Sequence, residues 1–143
     1  MSEFPKYARP VAGPGLHHVA IKVHDFEASY RFYTETLGMT PVYTWGQGDE
    51  RAQLLDTGDG SYLEIFAGGK APAESDEEGP VLHFALRVAD AGASFRKAVA
   101  AGARPTVEPN NVTIPGDPPL PVRIAFCKGP DGEVIEFFQN ETL

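Results

Sequence analysis

One cysteine, Cys127, is all the chain has, so no disulfide can form within it, and a reducing cytoplasm is the expected setting. No apolar run approaches the roughly 20 residues of a membrane-spanning helix. Basic residues are scarce. Lys and Arg together number 12 against 20 Asp and Glu, for a net charge of −8. That balance argues against nucleic acid or an anionic membrane surface as partner. Residues Met1 to Gly15 lack an apolar segment and carry Pro5, Pro10 and Pro14. They are expected to be an extended arm rather than a signal peptide. What is present is 143 residues, 42% of them apolar, enough for one compact unit or two small fused modules.

The chain repeats itself. His18-Val-Ala-Ile-Lys-Val-His-Asp25-Phe-Glu-Ala-Ser-Tyr-Arg31 matches His83-Phe-Ala-Leu-Arg-Val-Ala-Asp90-Ala-Gly-Ala-Ser-Phe-Arg96 at an offset of 65, with seven of 14 positions identical. A second match, Asp59-Gly-Ser-Tyr-Leu-Glu64-Ile-Phe66 against Asp131-Gly-Glu-Val-Ile-Glu136-Phe-Phe138, has an offset of 72. Two copies of one supersecondary unit explain both.

Residues 16–23 alternate as a strand, with Val19, Ile21 and Val23 on one face and His18, Ala20 and Lys22 on the other. Asp25 is a helix N-cap, Phe26, Tyr30, Tyr33 and Leu37 recur at helical spacing, and Gly38 is a C-cap glycine. Strands are expected at about 40–46, 51–57 and 61–67. The acidic, glycine- and proline-rich stretch 68–80 reads as a linker, with Glu74 to Glu78 solvated. The second copy opens with a strand at 81–88 and a helix from Asp90 to about Ala101, followed by strands at about 104–108, 122–127 and 133–138. Between the first two of those strands, residues 109–121 are proline-rich with little strand or helix signal, and read as a lid or binding loop. The fold class is therefore α+β: two tandem β-α-β-β-β modules, 16–67 and 81–143, whose curved sheets surround a metal cleft.

Strand parity supplies the candidate site. His18 shares its face with Ala20 and Lys22, His83 with Ala85 and Arg87, Glu64 with Tyr62 and Phe66, and Glu136 with Val134 and Phe138. The opposite faces are aliphatic or aromatic and belong against the helices. Taken singly, each of the four reads better as a core histidine or a paired surface glutamate. Four at matching places of a duplicated unit read as a metal set. A shared ion also removes the cost of burying a carboxylate beside Leu63 and Ile65, or Ile135 and Phe137. Two imidazoles and two carboxylates suit one divalent ion of Ni, Zn, Mn, Fe or Co, with positions left for water or substrate.

Lys22 and Arg87 lie on the same face, where they either grip an anionic substrate or reach solvent at the strand end. Tyr43, Trp45 and Tyr62 either line a pocket or belong to the core. His17 and His24 have no partner in the repeat and are set aside as ligands. Cys127 alternates onto an apolar strand and reads as inert.

His18-Val-Ala-Ile-Lys-Val, Arg31-Phe-Tyr-Thr-Glu-Thr-Leu-Gly-Met39, Tyr62-Leu-Glu-Ile65, Leu82-His-Phe-Ala-Leu86 and Pro130-Asp-Gly-Glu-Val-Ile-Glu-Phe137 resemble the vicinal oxygen chelate superfamily over about residues 16–139. The order His18, Glu64, His83, Glu136 looks most like glyoxalase I, which isomerises the hemithioacetal of methylglyoxal and glutathione. That resemblance implies a divalent metal at these four residues and proton transfer through an enediolate. It makes Glu136 the first candidate base and Glu64 the second, and it implies a small-molecule substrate and a homodimer. Three positions depart from glyoxalase I. Lys22 stands in place of an Arg, Gly68 in place of an Asn, and residues 109–121 contain no lysine. Epimerisation next to a carbonyl and drug sequestration are the other activities the superfamily implies.

Overall fold

The computed structural model describes residues 14–71 and 81–141. The extended arm read at 1–15 falls largely outside them, as do the part of the linker from 72 to 80 and the acidic run Glu74 to Glu78. The chain divides into two compact units, Met1–Ala71 and Pro72–Leu143.

In the first unit, β1 (His18–Lys22) leads to α1 (Phe26–Arg31), then β2 (Thr40–Trp45), β3 (Ala52–Asp56) and β4 (Tyr62–Phe66). The second runs β5 (Phe84–Arg87), α2 (Ala91–Ala100), β6 (Arg104–Ile114), β7 (Leu120–Lys128) and β8 (Val134–Gln139). Each unit holds one four-stranded mixed sheet, ordered β1-β4-β3-β2 and β5-β8-β7-β6. The first strand lies parallel to the last, while the two hairpin strands run antiparallel beyond it. The α+β two-module architecture is thus as the repeat implies.

Both helices start as their sequences dictate. Asp25 accepts a hydrogen bond from the Ala28 N–H at 3.1 Å, and Asp90 one from the Ala93 N–H at 2.9 Å. Each satisfies a first-turn donor that has no helical partner. α2 buries Ala91, Phe95 and Ala98, spaced as one helical face, against β6, β7 and β8. The first helix departs from expectation after Arg31. Residues Phe32–Thr36 form a π-helical turn, and the Leu37 N–H reaches the Phe32 carbonyl at 3.0 Å. The wider turn shifts the positions that follow it, Leu37 among them. Ser29, Phe32 and Tyr33 are buried, whereas Phe26, Tyr30 and Leu37 are only half so. Phe26 instead lies beneath the Arg51 guanidinium, 4.2 Å from its ring centre, and Arg51 pairs with Glu27. Gly38, at φ +79°, then turns the chain as a left-handed C-cap.

Residues 109–121 are not a loop but the end of a β-hairpin. β6 continues to Ile114 and pairs with β7 from Leu120, leaving only Pro115 to Pro119 as the turn. Prolines obscured this strand in the sequence, because a central strand cannot spare their missing N–H groups. β6 is an outer strand, where one row of N–H groups has no ladder partner. Register shifts at Pro105/Val107 and Val107/Asn110 absorb Pro105 and Pro109. β2, the outer strand of the other sheet, carries Pro41 beside its own register shift. The two glycines of the predicted linker that are described, Gly68 and Gly69, belong to the first unit, with the Gly69 N–H donating to the Val23 carbonyl at 2.9 Å.

Cys127 is fully buried on β7, and burial, with the Glu133 carboxylate second, pushes its thiol from 9.0 up to about 11. Among the described residues no helix is long and apolar enough to cross a membrane.

Two outcomes follow for the fold. Hydrogen exchange will show the ladder-bonded amides of β6 within 111–114 and the amides of 122–124 protected, with fast exchange in the turn at Gly116 and Asp117 and along the outward row of β6; uniform fast exchange over 110–124 contradicts the hairpin. Alkylation of Cys127 at pH 8 will be at least about a hundredfold slower in native than in denatured protein. Because the folded thiol holds its proton more tightly than the unfolded one, its effect on stability is constant below pH 9. Stability then declines as pH rises from 9.0 toward about 11.

Candidate functional site

In the first unit the parallel register sets Ala20 opposite Glu64 and His18 opposite Tyr62. His18 therefore stands two residues before the partner of Glu64, on the same face. Its Nε2 lies 3.6 Å from Glu64 Oε1. In the second unit Ala85 lies opposite Glu136, and His83 again stands two residues before it. His83 Nε2 is 2.9 Å from Glu136 Oε2. β5 starts one residue after His83, so this histidine is at the strand's entrance rather than within it.

Both carboxylates are well covered, with side chains 14% and 11% exposed, while the imidazoles at 41% and 35% open outward. Leu63, Ile65, Ile135 and Phe137 fill the core on the opposite face, as the alternation requires.

The spacing within each pair suits cation binding. Imidazole nitrogen and carboxylate oxygen each sit about 2.0–2.2 Å from a bound transition ion. Two such donors at right-angled to tetrahedral geometry are therefore about 2.8–3.6 Å apart. Nitrogen and carboxylate oxygen donors together accept Ni, Zn, Mn, Co or Fe. Each pair supplies only two donors, and among the described residues no group of three or more His, Cys, Asp or Glu gathers as a metal set.

Lys22 is exposed on β1 opposite Phe66, and Arg87 is exposed on β5 opposite Phe138. A cavity of about 460 Å³ in the first unit is lined not by His18 or Glu64 but by residues that include Ala20, Lys22 and Phe66 and two that sequence reasoning missed, Asp49 and Glu50. They sit on the 3-10 turn Gly48–Glu50, which carries no motif and becomes visible only once folded. Tyr62 is buried and packs against His17, ring centres 5.0 Å apart. Trp45 sets its edge on Phe66 at 6.0 Å, while Tyr43 is largely exposed.

Gly68 explains one departure noted in the sequence. At φ +81°, a Cβ there would stand 2.7 Å from the Asp49 carbonyl oxygen. No asparagine fits without moving the turn that bears Asp49.

Comparison with known proteins bears on residues 15–137, which match the model of the Glyoxalase/Bleomycin resistance protein/Dioxygenase superfamily. YwbC of Bacillus subtilis strain 168, an uncharacterized protein, is 35% identical over 127 residues, covering 87% of this chain and 97% of its own. A probable lactoylglutathione lyase of Vibrio parahaemolyticus is 32% identical over 130 residues, with 87% and 89% covered. The crystal structure of SMU.1112c superimposes with a TM-score of 0.70 at 27% identity, covering 87% of this chain and 97% of that one.

Gly68→Ala is expected to lower stability by about 1–3 kcal/mol, from the positive φ and the contact with Asp49 together. Denaturant unfolding measures it; a midpoint shift below about 0.3 kcal/mol equivalent contradicts the close approach.

Proposed function

Because the chain belongs to the glyoxalase/bleomycin resistance protein/dioxygenase superfamily, we propose that it is a metal-dependent lyase or isomerase of glyoxalase I type. Its substrate is a 2-oxoaldehyde adduct or a related small carbonyl compound, and its setting the cytoplasm. The observation that carries this reading is the recurrence of one His–Glu pair, at one register offset, in both modules.

His18, Glu64, His83 and Glu136 together hold one divalent ion, each pair giving half of the donors. A pair alone supplies too few donors for such an ion, so the reading needs all four residues, and the chain works as a homodimer. When bound, the ion supplies Lewis-acid polarisation of adjacent substrate oxygens, which acidifies the carbon between them.

The protein's own groups do the rest. Glu136, the better buried carboxylate, accepts a proton at a carboxylate oxygen from the carbon next to the carbonyl and returns it to the neighbouring carbon. Its burial keeps water away and strengthens the field of nearby cations on charge that develops in the transition state. Glu64 is the second candidate for the same task. Lys22 and Arg87 take the anionic end of the substrate as single-charge or forked donors. Tyr62 contributes the apolar wall. With no side chain possible at Gly68, the anchoring at that end of the first module falls to Lys22.

Purified protein loaded with Ni²⁺ or Zn²⁺ should retain about one ion per chain. Turnover should appear with methylglyoxal and a thiol, tested with glutathione, other thiols and methylglyoxal alone. His83→Ala should lose the ion. Glu136→Gln, if it keeps the ion, should lower turnover by roughly a hundredfold or more. Unchanged metal affinity in His83→Ala would refute the ligand set, and full activity of metal-loaded Glu136→Gln would refute the base. Absence of any ion in the parent protein favours simple sequestration of a small molecule. Light scattering that gives the mass of one chain at micromolar concentration removes the dimer.

A further inference from the structure

His17, which the repeat sets aside, is bonded to His18. The Nδ1 atoms of the two rings are 2.9 Å apart, with the rings nearly perpendicular at 85°. Two bare nitrogens at that distance repel, and two N–H groups collide, so one ring donates and the other accepts. If His17 donated, the His18 proton would sit on Nε2. There it faces Glu64 Oε1 at 3.6 Å, beyond hydrogen-bond range. If His18 donates, its Nε2 keeps a lone pair aimed at the Glu64 carboxylate. A carboxylate draws an Nε2–H in to hydrogen-bond distance, as at His83 and Glu136 (2.9 Å), so the 3.6 Å gap fits a lone pair on His18 Nε2, with room for a cation beside it.

We propose that His17 is a positioning residue that accepts the His18 Nδ1–H and so fixes His18 in the tautomer whose Nε2 binds metal. This rests on the reading of His18 as a metal donor. His17 is itself held in place. Its carbonyl accepts the Tyr62 N–H at 2.8 Å, and its ring packs on Tyr62. A ligating imidazole usually gives its other N–H to a carboxylate, a carbonyl or water. Here a second imidazole takes that place.

Among the described residues the second module shows no equivalent. Leu82 occupies the matching position and has no acceptor side chain. His83 lies edge-on to Phe126, ring centres 5.3 Å apart, and its Nε2 is within hydrogen-bond range of Glu136. The two half-sites are therefore unequal. His18 is set for a cation before one arrives, while His83 must first give up its contact with Glu136.

The test is NMR of ¹⁵N-histidine-labelled, metal-free protein at neutral pH, with Zn²⁺ titration calorimetry on the same variants. His18 should carry its proton on Nδ1 in the parent and lose that preference in His17→Phe, which keeps a ring against Tyr62 but cannot accept. Zn²⁺ affinity should fall about 10- to 100-fold in His17→Phe and recover in His17→Asn, whose amide oxygen accepts. A His18 proton on Nε2 in the parent overturns the proposal, as does unchanged Zn²⁺ affinity in His17→Phe. If the parent takes up no Zn²⁺, the proposed function fails on its own, and the tautomer in the metal-free protein still decides the role of His17.

Discussion

A strand paired in parallel with its module's last strand needs a crossover, and everything of chemical interest here depends on that pairing. β1 lies against β4 and β5 against β8, each reached through a helix and an antiparallel hairpin. The pairing sets one histidine two residues before the partner of one glutamate, twice over. Because side chains alternate faces, a slip of one residue would turn the glutamate toward the helix and leave a carboxylate in an apolar core. The hydrophobic faces that lock the register, Leu63 with Ile65 and Ile135 with Phe137, thereby also aim the donors.

That dependence explains which features could be read from the sequence. The repeat and the strand parity are local periodic signals, so the two-module fold, the Asp25 N-cap and the placing of each His and Glu on the face opposite the aliphatic core were legible. Features set by relations across the sheet were not. Residues 109–114 read as loop because prolines are penalised in strands, and only their place at a sheet edge makes them tolerable. α1 buries Ser29 with Phe32 and Tyr33 rather than Phe26 and Tyr30, and Arg51, distant in sequence, lies over Phe26, a contact that periodicity does not show. Asp49, Glu50 and the His17–His18 bond arise from backbone approach and ring placement, which no residue pattern announces.

The two outer strands, β2 and β6, share a device. Each carries proline and an irregular register, which leaves a poor template for further pairing. Regular pairing is thus concentrated on the strands that bear the donors, and irregularity is kept to the far side of each sheet.

The change in repeat offset from 65 to 72 marks where the modules have diverged in length. The extra residues fall between helix and last strand, in the β6–β7 hairpin. Insertions there lengthen an outer ribbon without moving β5 against β8. A lineage with this fold can therefore gain or lose residues in that ribbon, altering what the protein touches, while inheriting its donor geometry intact. The division separates a heritable length variable from a chemical constant.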